Sequence, residues 1–231
     1  MITARLSPVS IPAESTASSL LEAQSLRGRV LKRGGDIVFS LLVLILGSPL
    51  FLLLAVLVKL SSRGSVFYRQ RRIGRGYKGF GCLKFRTMRR DADRVLASML
   101  EADPKLRAEF ERDHKLKRDP RITPLGKFLR RSSLDELPQF INVLRGEMSV
   151  VGPRPIVWDE LPRYGRNMDE VLSVRPGLTG LWQVSGRNNL TYRTRVRLDL
   201  TYVRNRSFWL DLGIVLRTIG VVLLPMDRGA Y

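Results

Sequence analysis

The longest apolar run of the chain extends from Ile37 to Val58, 22 residues without a charged side chain. As one straight helix it would measure about 33 Å, enough to cross a hydrocarbon core of roughly 30 Å. Two features point away from a simple span. Gly47-Ser48-Pro49 lies in its middle, and proline removes a backbone donor and clashes with the preceding turn, which bends a helix sharply. Basic residues also flank both ends: Arg27, Arg29, Lys32 and Arg33 before the run, Lys59, Arg63, Arg69, Arg71 and Arg72 after it. Positive charge stays on the cytoplasmic side, so a simple span should carry it at one end. A hairpin that enters one leaflet, breaks at Ser48-Pro49 and returns satisfies both facts. The Ser48 hydroxyl is well placed to partner a backbone group freed at the bend. The pattern alone leaves the straight span and the hairpin both open.

The rest of the pattern is that of a surface-bound soluble unit. Residues 1–26 are rich in Ser and Ala with few aromatics and read as a flexible N-terminal tail. Residues 27–60 are expected to form the membrane segment and 61–231 one domain at the membrane surface. Ser65-Val66-Phe67-Tyr68 and Gly79–Phe85 predict two short strands. Residues 91–118 alternate charged and apolar positions as an amphipathic helix pair broken at Asp103-Pro104. Thr123-Pro124 is a helix start, with proline at the first helical position, and predicts a helix over Pro124–Arg131. Pro138 places a further helix start near Asp135, and Gly146 ends it. The run Phe208–Leu224 is interrupted by Asp211 and Arg217 and reads as an interfacial or packed helix. The fold class is α+β, mostly helical, with a small β element.

Charge changes the picture. The chain has 231 residues, with 40 Lys and Arg against 21 Asp and Glu, a formal charge of +19. Such an excess calls for an anionic partner: nucleic acid, anionic lipid or a phosphorylated substrate. Between Lys59 and Arg90 eleven residues are basic and none acidic, a lip for phosphate or for lipid headgroups. The single Cys82 and single His114 exclude an internal disulfide and a zinc site of Cys and His ligands. A Ser-His or Cys-His arrangement would have to rest on His114, whose charged run Glu111-Arg112-Asp113-His114-Lys115 reads first as a solvated helix face, so the chemistry is expected to run on carboxylates.

Asp135-Glu136 is the pair that carries it. An Asp at a helix start is often only a cap. The same position also suits a nucleophile, because the helix N-terminus stabilises its ionised form and binds the phosphate it would capture. Glu136 could help hold a hard divalent cation such as Mg²⁺. Downstream, Gly152-Pro153-Arg154-Pro155, Arg175-Pro176-Gly177 and Gly186-Arg187-Asn188 each place an arginine in a tight turn. A rigid guanidinium makes a pre-organised two-pronged contact with phosphate.

These residues resemble the monotopic phosphoglycosyl transferases, the bacterial sugar transferases that start exopolysaccharide, capsule and glycan assembly. The matching runs are Lys84–Met88, Asp119–Thr123, Ser133–Gln139, Gly152–Pro155, Arg175–Gly180 and Gly229–Tyr231. The resemblance covers the chain from about Lys32 to its end and is of the short, catalytic-only kind. It implies transfer of a sugar 1-phosphate from a UDP-sugar, galactose or glucose foremost, to undecaprenyl phosphate with release of UMP. It implies Asp135 as a nucleophile that becomes phosphoglycosylated, and Glu136 as the Mg²⁺ contact. Pro153, Arg154 and Pro155 are expected to hold the nucleotide, with Arg175 and Arg187 near its phosphates. Lys84 and Arg86 are expected to face the site, and Arg130 to bridge the dyad helix to substrate. The resemblance also implies a re-entrant helix broken at Ser48-Pro49, a place on the cytoplasmic face of the inner membrane among its lipids, and it admits a homodimer.

Two other classes compete. A basic membrane-surface scaffold explains the charge and the apolar run, but not an acidic pair followed by arginines in turns. A nucleic-acid binder lacks any recognised motif and has no use for the apolar run. Within the enzyme reading, a single displacement would keep the substrates and reduce Asp135 to a metal ligand or base.

Overall fold

The computed structural model describes residues 15–113, 116, 119–186 and 189–223. His114, Arg187 and Gly229-Ala230-Tyr231 lie outside the described residues.

The apolar run is two helices. Helix α1 (Ser15–Leu46) begins inside the segment read as a tail, and α2 (Ser48–Ser61) follows after Gly47. The limbs Arg27–Leu46 and Ser48–Ser61 are bent by 65°. The cause is local. Pro49 has no N–H for the Ile45 carbonyl four residues earlier, and the Ser48 hydroxyl donates to that carbonyl instead, at 2.8 Å. Gly47 permits the break, because a Cβ there would strike the Val43 carbonyl. Among the described residues no single helix is long and apolar enough to cross a membrane, whereas the bent pair is by length and composition. Both limbs leave large apolar side chains exposed, among them Leu42, Ile45, Leu46, Leu52, Leu53 and Val56.

Strands β1 (Phe67–Ile73) and β2 (Gly79–Phe85) pair antiparallel, from Phe67 opposite Phe85 to Ile73 opposite Gly79. Strand β2 lies where the sequence placed it. Strand β1 runs past the apolar Ser65–Tyr68 segment into Arg69–Ile73. Hydropathy hides this because the residues buried at its end are Arg72 and Ile73, and a buried arginine looks like a loop residue in sequence.

Helices α3 (Ala92–Ala102) and α4 (Pro104–Asp113) form the broken pair, and α5 (Pro124–Arg131) starts at a Thr123 cap whose hydroxyl accepts from Gly126 N at 2.9 Å. The next helix differs from the expectation. Residues Leu134–Glu136 form a 3₁₀ turn, and α6 (Gln139–Leu144) begins only after Pro138. Ser133 is left-handed, with φ of 57°, which separates this turn from α5. Pro138 donates no amide, so the α pattern restarts after it. The acidic pair therefore sits on a tight turn rather than at the start of a helix.

A second small sheet joins β3 (Ser149–Val151) and β4 (Gly177–Thr179) in parallel. Between them lie α7 (Leu161–Tyr164) and α8 (Met168–Val171); after them come α9 (Leu181–Ser185), α10 (Tyr192–Asn205) and α11 (Phe208–Leu223). The described residues are mostly helical with two small sheets. One apolar cluster, Leu54, Val58, Phe85 and Leu129, joins α2 to the hairpin and to α5. Another packs Phe140, Val143, Met148, Val151, Tyr202 and Ile214 together. On α1, Asp36 accepts from Val150 N at 3.1 Å, and Arg33 donates to the Val143 and Leu144 carbonyls that end α6. The limb that leads into the bend is thus bolted to the elements beside the acidic pair.

Candidate active site

Strand β2 presents Lys84 to the 3₁₀ turn. Its Nζ lies 2.6 Å from Glu136 Oε1 and 3.9 Å from Asp135 Oδ2. Asp135 is only 7% exposed. From α5, Arg130 donates through Nε to Thr87 Oγ1 at 2.9 Å, and its charge acts on Asp135. Burial pushes the Asp135 carboxyl up to about 6, against the pull of Lys84, with Glu136 adding and Arg130 opposing. Glu136 goes the other way. Burial would raise it, but the Lys84 ammonium, its hydrogen bond, and the charges of Arg154 and Arg72 hold it below the usual carboxylate range. The sequence expected Asp135 to be held ionised by a helix N-terminus. The turn supplies no such helix, and desolvation dominates.

The opposite wall is the Pro153-Arg154-Pro155 turn. The Pro153 carbonyl accepts from Gly177 N at 2.7 Å, and the Pro155 carbonyl from Arg72 Nη1 at 3.0 Å. Arg154 Nη1 lies 3.7 Å from Glu160 Oε1, and Arg72 Nη1 lies 3.6 Å from Glu160 Oε2. Glu160 is the shared counter-ion of two arginines. The Trp182 ring lies beside both Arg154, at 6.0 Å, and Arg195, at 5.0 Å, within cation–π reach. The antiparallel bridge of Ile73 to Ile156 ties the hairpin to this turn. Three acidic groups, Lys84 and four arginine-bearing elements thus meet in one region. The arrangement suits a phosphate-rich ligand held against a buried carboxylate.

Residues 27–225 match the family model described as bacterial sugar transferase. The chain belongs to the bacterial sugar transferase family. It is 56% identical over 206 residues to an uncharacterized sugar transferase of Haemophilus influenzae, covering 89% of this chain and 43% of that protein. It is 49% identical over 225 residues to the exopolysaccharide production protein ExoY of Rhizobium meliloti, covering 97% and 96%. It is 52% identical over 203 residues to the undecaprenyl-phosphate galactose phosphotransferase of Salmonella typhimurium, covering 88% and 42%. The chain therefore spans less than half the length of two of these relatives and nearly all of the third.

Not every residue expected at the sugar transferase site is brought there. Asp135, Glu136, Lys84, Arg130 and Arg154 converge. Arg175 does not: its Nε donates to the Gly146 carbonyl at 2.7 Å, beyond the end of α6, where Arg33 also sits. The rigid turn that suggested a phosphate contact instead holds the loop that follows α6. Arg86 turns toward the exit of α2, donating to the Ser62 carbonyl at 2.6 Å. Pro153 and Pro155 act through their carbonyls, and Ser48 and Pro49 form the bend.

Four residues escaped the sequence. Arg72 is one of eleven basic residues in an unbroken basic stretch and carries no local mark. Glu160 gains its weight by joining Arg154 to the distant Arg72, and Trp182 by meeting Arg154 and Arg195 in the fold. Asp199 had a signal: it stands at helical spacing with Val196, Tyr202 and Val203, an acid on an apolar stripe. It is fully buried and accepts from the Tyr164 hydroxyl at 3.0 Å. Cys82 is also buried. Burial pushes its thiol up to about 11, so it is a core side chain and not a nucleophile.

Asp135 and Glu136 are hard oxygen donors on adjacent residues. Among the described residues no three His, Cys, Asp or Glu side chains cluster as a metal cage. Two carboxylates fit Mg²⁺, which commonly takes one or two protein carboxylates and completes its shell with water and substrate phosphate.

Proposed function

We propose that the protein is a monotopic membrane enzyme that transfers a sugar 1-phosphate from a UDP-sugar to undecaprenyl phosphate and releases UMP. The observation that carries this reading is a single buried carboxylate, Asp135, ringed by Lys84, Arg130 and, through Glu136, the Arg154–Arg72 pair. A carboxylate titrating near 6 remains largely ionised at pH 7. It is more basic than an exposed one and so donates its electron pair more readily.

In the first step an Asp135 oxygen attacks the sugar-bearing phosphorus of the donor. The bond from that phosphorus to the bridging oxygen breaks, and UMP leaves with the electron pair. Lys84 neutralises Glu136 and part of the charge gathering on the phosphoryl oxygens. Arg154, stiffened by Glu160 and Trp182, holds the nucleotide phosphate with both prongs. In the second step an oxygen of the lipid phosphate attacks the same phosphorus, and the Asp135 carboxylate departs unchanged. Glu136 would hold the Mg²⁺, which when bound would draw charge from the donor diphosphate.

The bent pair α1–α2 acts as a re-entrant hairpin, with both ends on the cytoplasmic face of the bacterial inner membrane. Its exposed apolar faces lie in lipid, and Phe208, Trp209, Leu212 and Leu216 of α11, also exposed, rest at the interface. The product lipid-linked sugar is the starter of an exopolysaccharide. The name of the Salmonella relative makes galactose the first donor to test, with glucose next.

The deciding experiment incubates the protein with Mg²⁺ and UDP-[sugar-labelled] donors, without acceptor. Label that becomes covalently attached to Asp135, and that undecaprenyl phosphate then discharges, establishes the two-step route. UMP release that needs the acceptor and never labels the protein would replace it with a single displacement. Asp135→Asn abolishes labelling and turnover while leaving the protein folded and membrane-bound.

A further inference from the structure

A second basic recess opens where α2 ends. It is a cavity of about 510 Å³ whose lining includes Ser61, Ser62, Arg63, Arg89, Arg90 and Thr123. Three guanidinium groups meet there with one carboxylate, that of Asp91. Asp91 is already engaged, 3.3 Å from Arg89 and 4.0 Å from Arg94. Arg63 and Arg90 are exposed and have no carboxylate partner among the described residues. Two arginines without a carboxylate partner, beside a third, favour a phosphate-type oxyanion in this recess.

Position narrows the class. Leu60 is 78% exposed and is the last apolar side chain of the limb; the recess starts at the next residue. It therefore lies at headgroup depth, if α2 is in lipid, with an exposed apolar helix running down from it. The exit is held in shape. Arg86 donates to the Ser62 carbonyl, and Lys59 donates to the Gly64 carbonyl at 3.2 Å. Gly64 has a φ of 128°, and a Cβ there would run into the Arg86 guanidinium. The recess is also coupled to the acidic pair. Thr123 N donates to the Thr87 carbonyl at 3.0 Å, and the Thr87 hydroxyl is the acceptor for Arg130, the arginine whose charge reaches Asp135.

We propose that this recess binds the phosphate of a membrane lipid, with the lipid's chain lying along α2. The inference rests on the re-entrant reading given above. Two sources share the chemistry: the polyprenyl phosphate acceptor and a bulk anionic phospholipid. Arg63 and Arg90 grip the phosphate, and Thr123 and Thr87 connect it to the Arg130 side of the site.

The test compares the full-length protein with Arg63→Gln/Arg90→Gln, and with Arg193→Gln/Arg197→Gln as a control that removes equal charge at a different recess. Each is purified in a neutral detergent and titrated separately with undecaprenyl phosphate, phosphatidylglycerol and phosphatidylcholine. Bound lipid is counted by native mass spectrometry. The first pair should weaken binding of an anionic lipid roughly tenfold or more, leave phosphatidylcholine unchanged, and keep the melting temperature. Selective loss of undecaprenyl phosphate makes the recess a staging site for the acceptor. Loss of phosphatidylglycerol alone makes it a headgroup anchor. Equal losses in the control, or no loss at all, overturn the proposal. Arg90→Gln alone serves if the double variant is unstable. The readout needs no turnover. Selective lipid binding by a protein that releases no UMP from any UDP-sugar would leave this site standing and remove the transferase reading instead.

Discussion

At the scale of single residues, the site depends on carboxyl groups held in unequal surroundings. Asp199 is the clearest case. Burial pushes it up to about 7, and the Tyr164 hydroxyl and the Arg154 charge pull it back only in part. Its Oδ1 meets no hydrogen-bond partner at normal geometry among the described residues. The folded state therefore keeps a proton that the unfolded chain gives up near pH 4. Stability from this group is fully present below pH 4 and is lost as pH rises through about 7. Three units correspond to a few kcal/mol, on the order of 4 at most. Asp199→Asn should flatten the fall in melting temperature between pH 5 and 8, measured by differential scanning fluorimetry. An unchanged slope would mean that Asp199 titrates as an ordinary acid. Glu160 makes a different prediction. It lies close to both Arg72 and Arg154, so Glu160→Gln frees Arg154 to swing away. Such partly screened pairs contribute on the order of 1 kcal/mol. The KM for the UDP-sugar should rise about fivefold, with kcat and the KM for the polyprenyl phosphate unchanged. A parallel fall in kcat and folded yield would reduce Glu160 to a structural role.

At the scale of elements, function depends on how closely α5 approaches the end of β2. Gly126 faces the Thr87 carbonyl so tightly that an added Cβ would overlap it. The same contact lets Arg130 reach the Thr87 hydroxyl. Gly126→Ala must push α5 outward. Overpacking of this kind costs about 1–3 kcal/mol, and the displaced Arg130 would lose its aim at Asp135. Both a lower melting temperature and a lower kcat are expected. Loss of stability with full kcat would show that Arg130 needs no such support. Helix α5 itself was legible in the chain, because a Thr cap, a proline at the first turn and a basic end are local signals. The break of α6 at Pro138 was not. Pro138 is tolerated in a helix's first turn as well as before it, so its residue type leaves open whether the α pattern starts at Asp135 or only after the proline.

At the scale of the whole molecule, +19 of charge and two exposed apolar limbs act on different observables. Charge is screened within about 3 Å at 1 M salt, whereas burial of apolar surface in lipid is not. Washing membranes with 1 M NaCl should therefore leave the protein in the pellet, and mild detergent should release it. Release by salt alone would favour the basic surface scaffold over the hairpin.

Several features were determined by the sequence itself, because each rests on short-range chemistry. The bend at Ser48-Pro49 follows from a missing amide and a neighbouring hydroxyl. The strand Gly79–Phe85, the break at Asp103-Pro104 and the acidic pair are readable for the same reason. Tertiary structure alone decided which arginines face the carboxylates. Arg154 does, and so does Arg72, which the sequence marked only as a flanking charge, while Arg175 and Arg86 turn to backbone carbonyls. A guanidinium can donate to phosphate, to carboxylate or to backbone carbonyl. Its residue type and its turn therefore cannot say which one it meets. That is settled by which elements pack together around it.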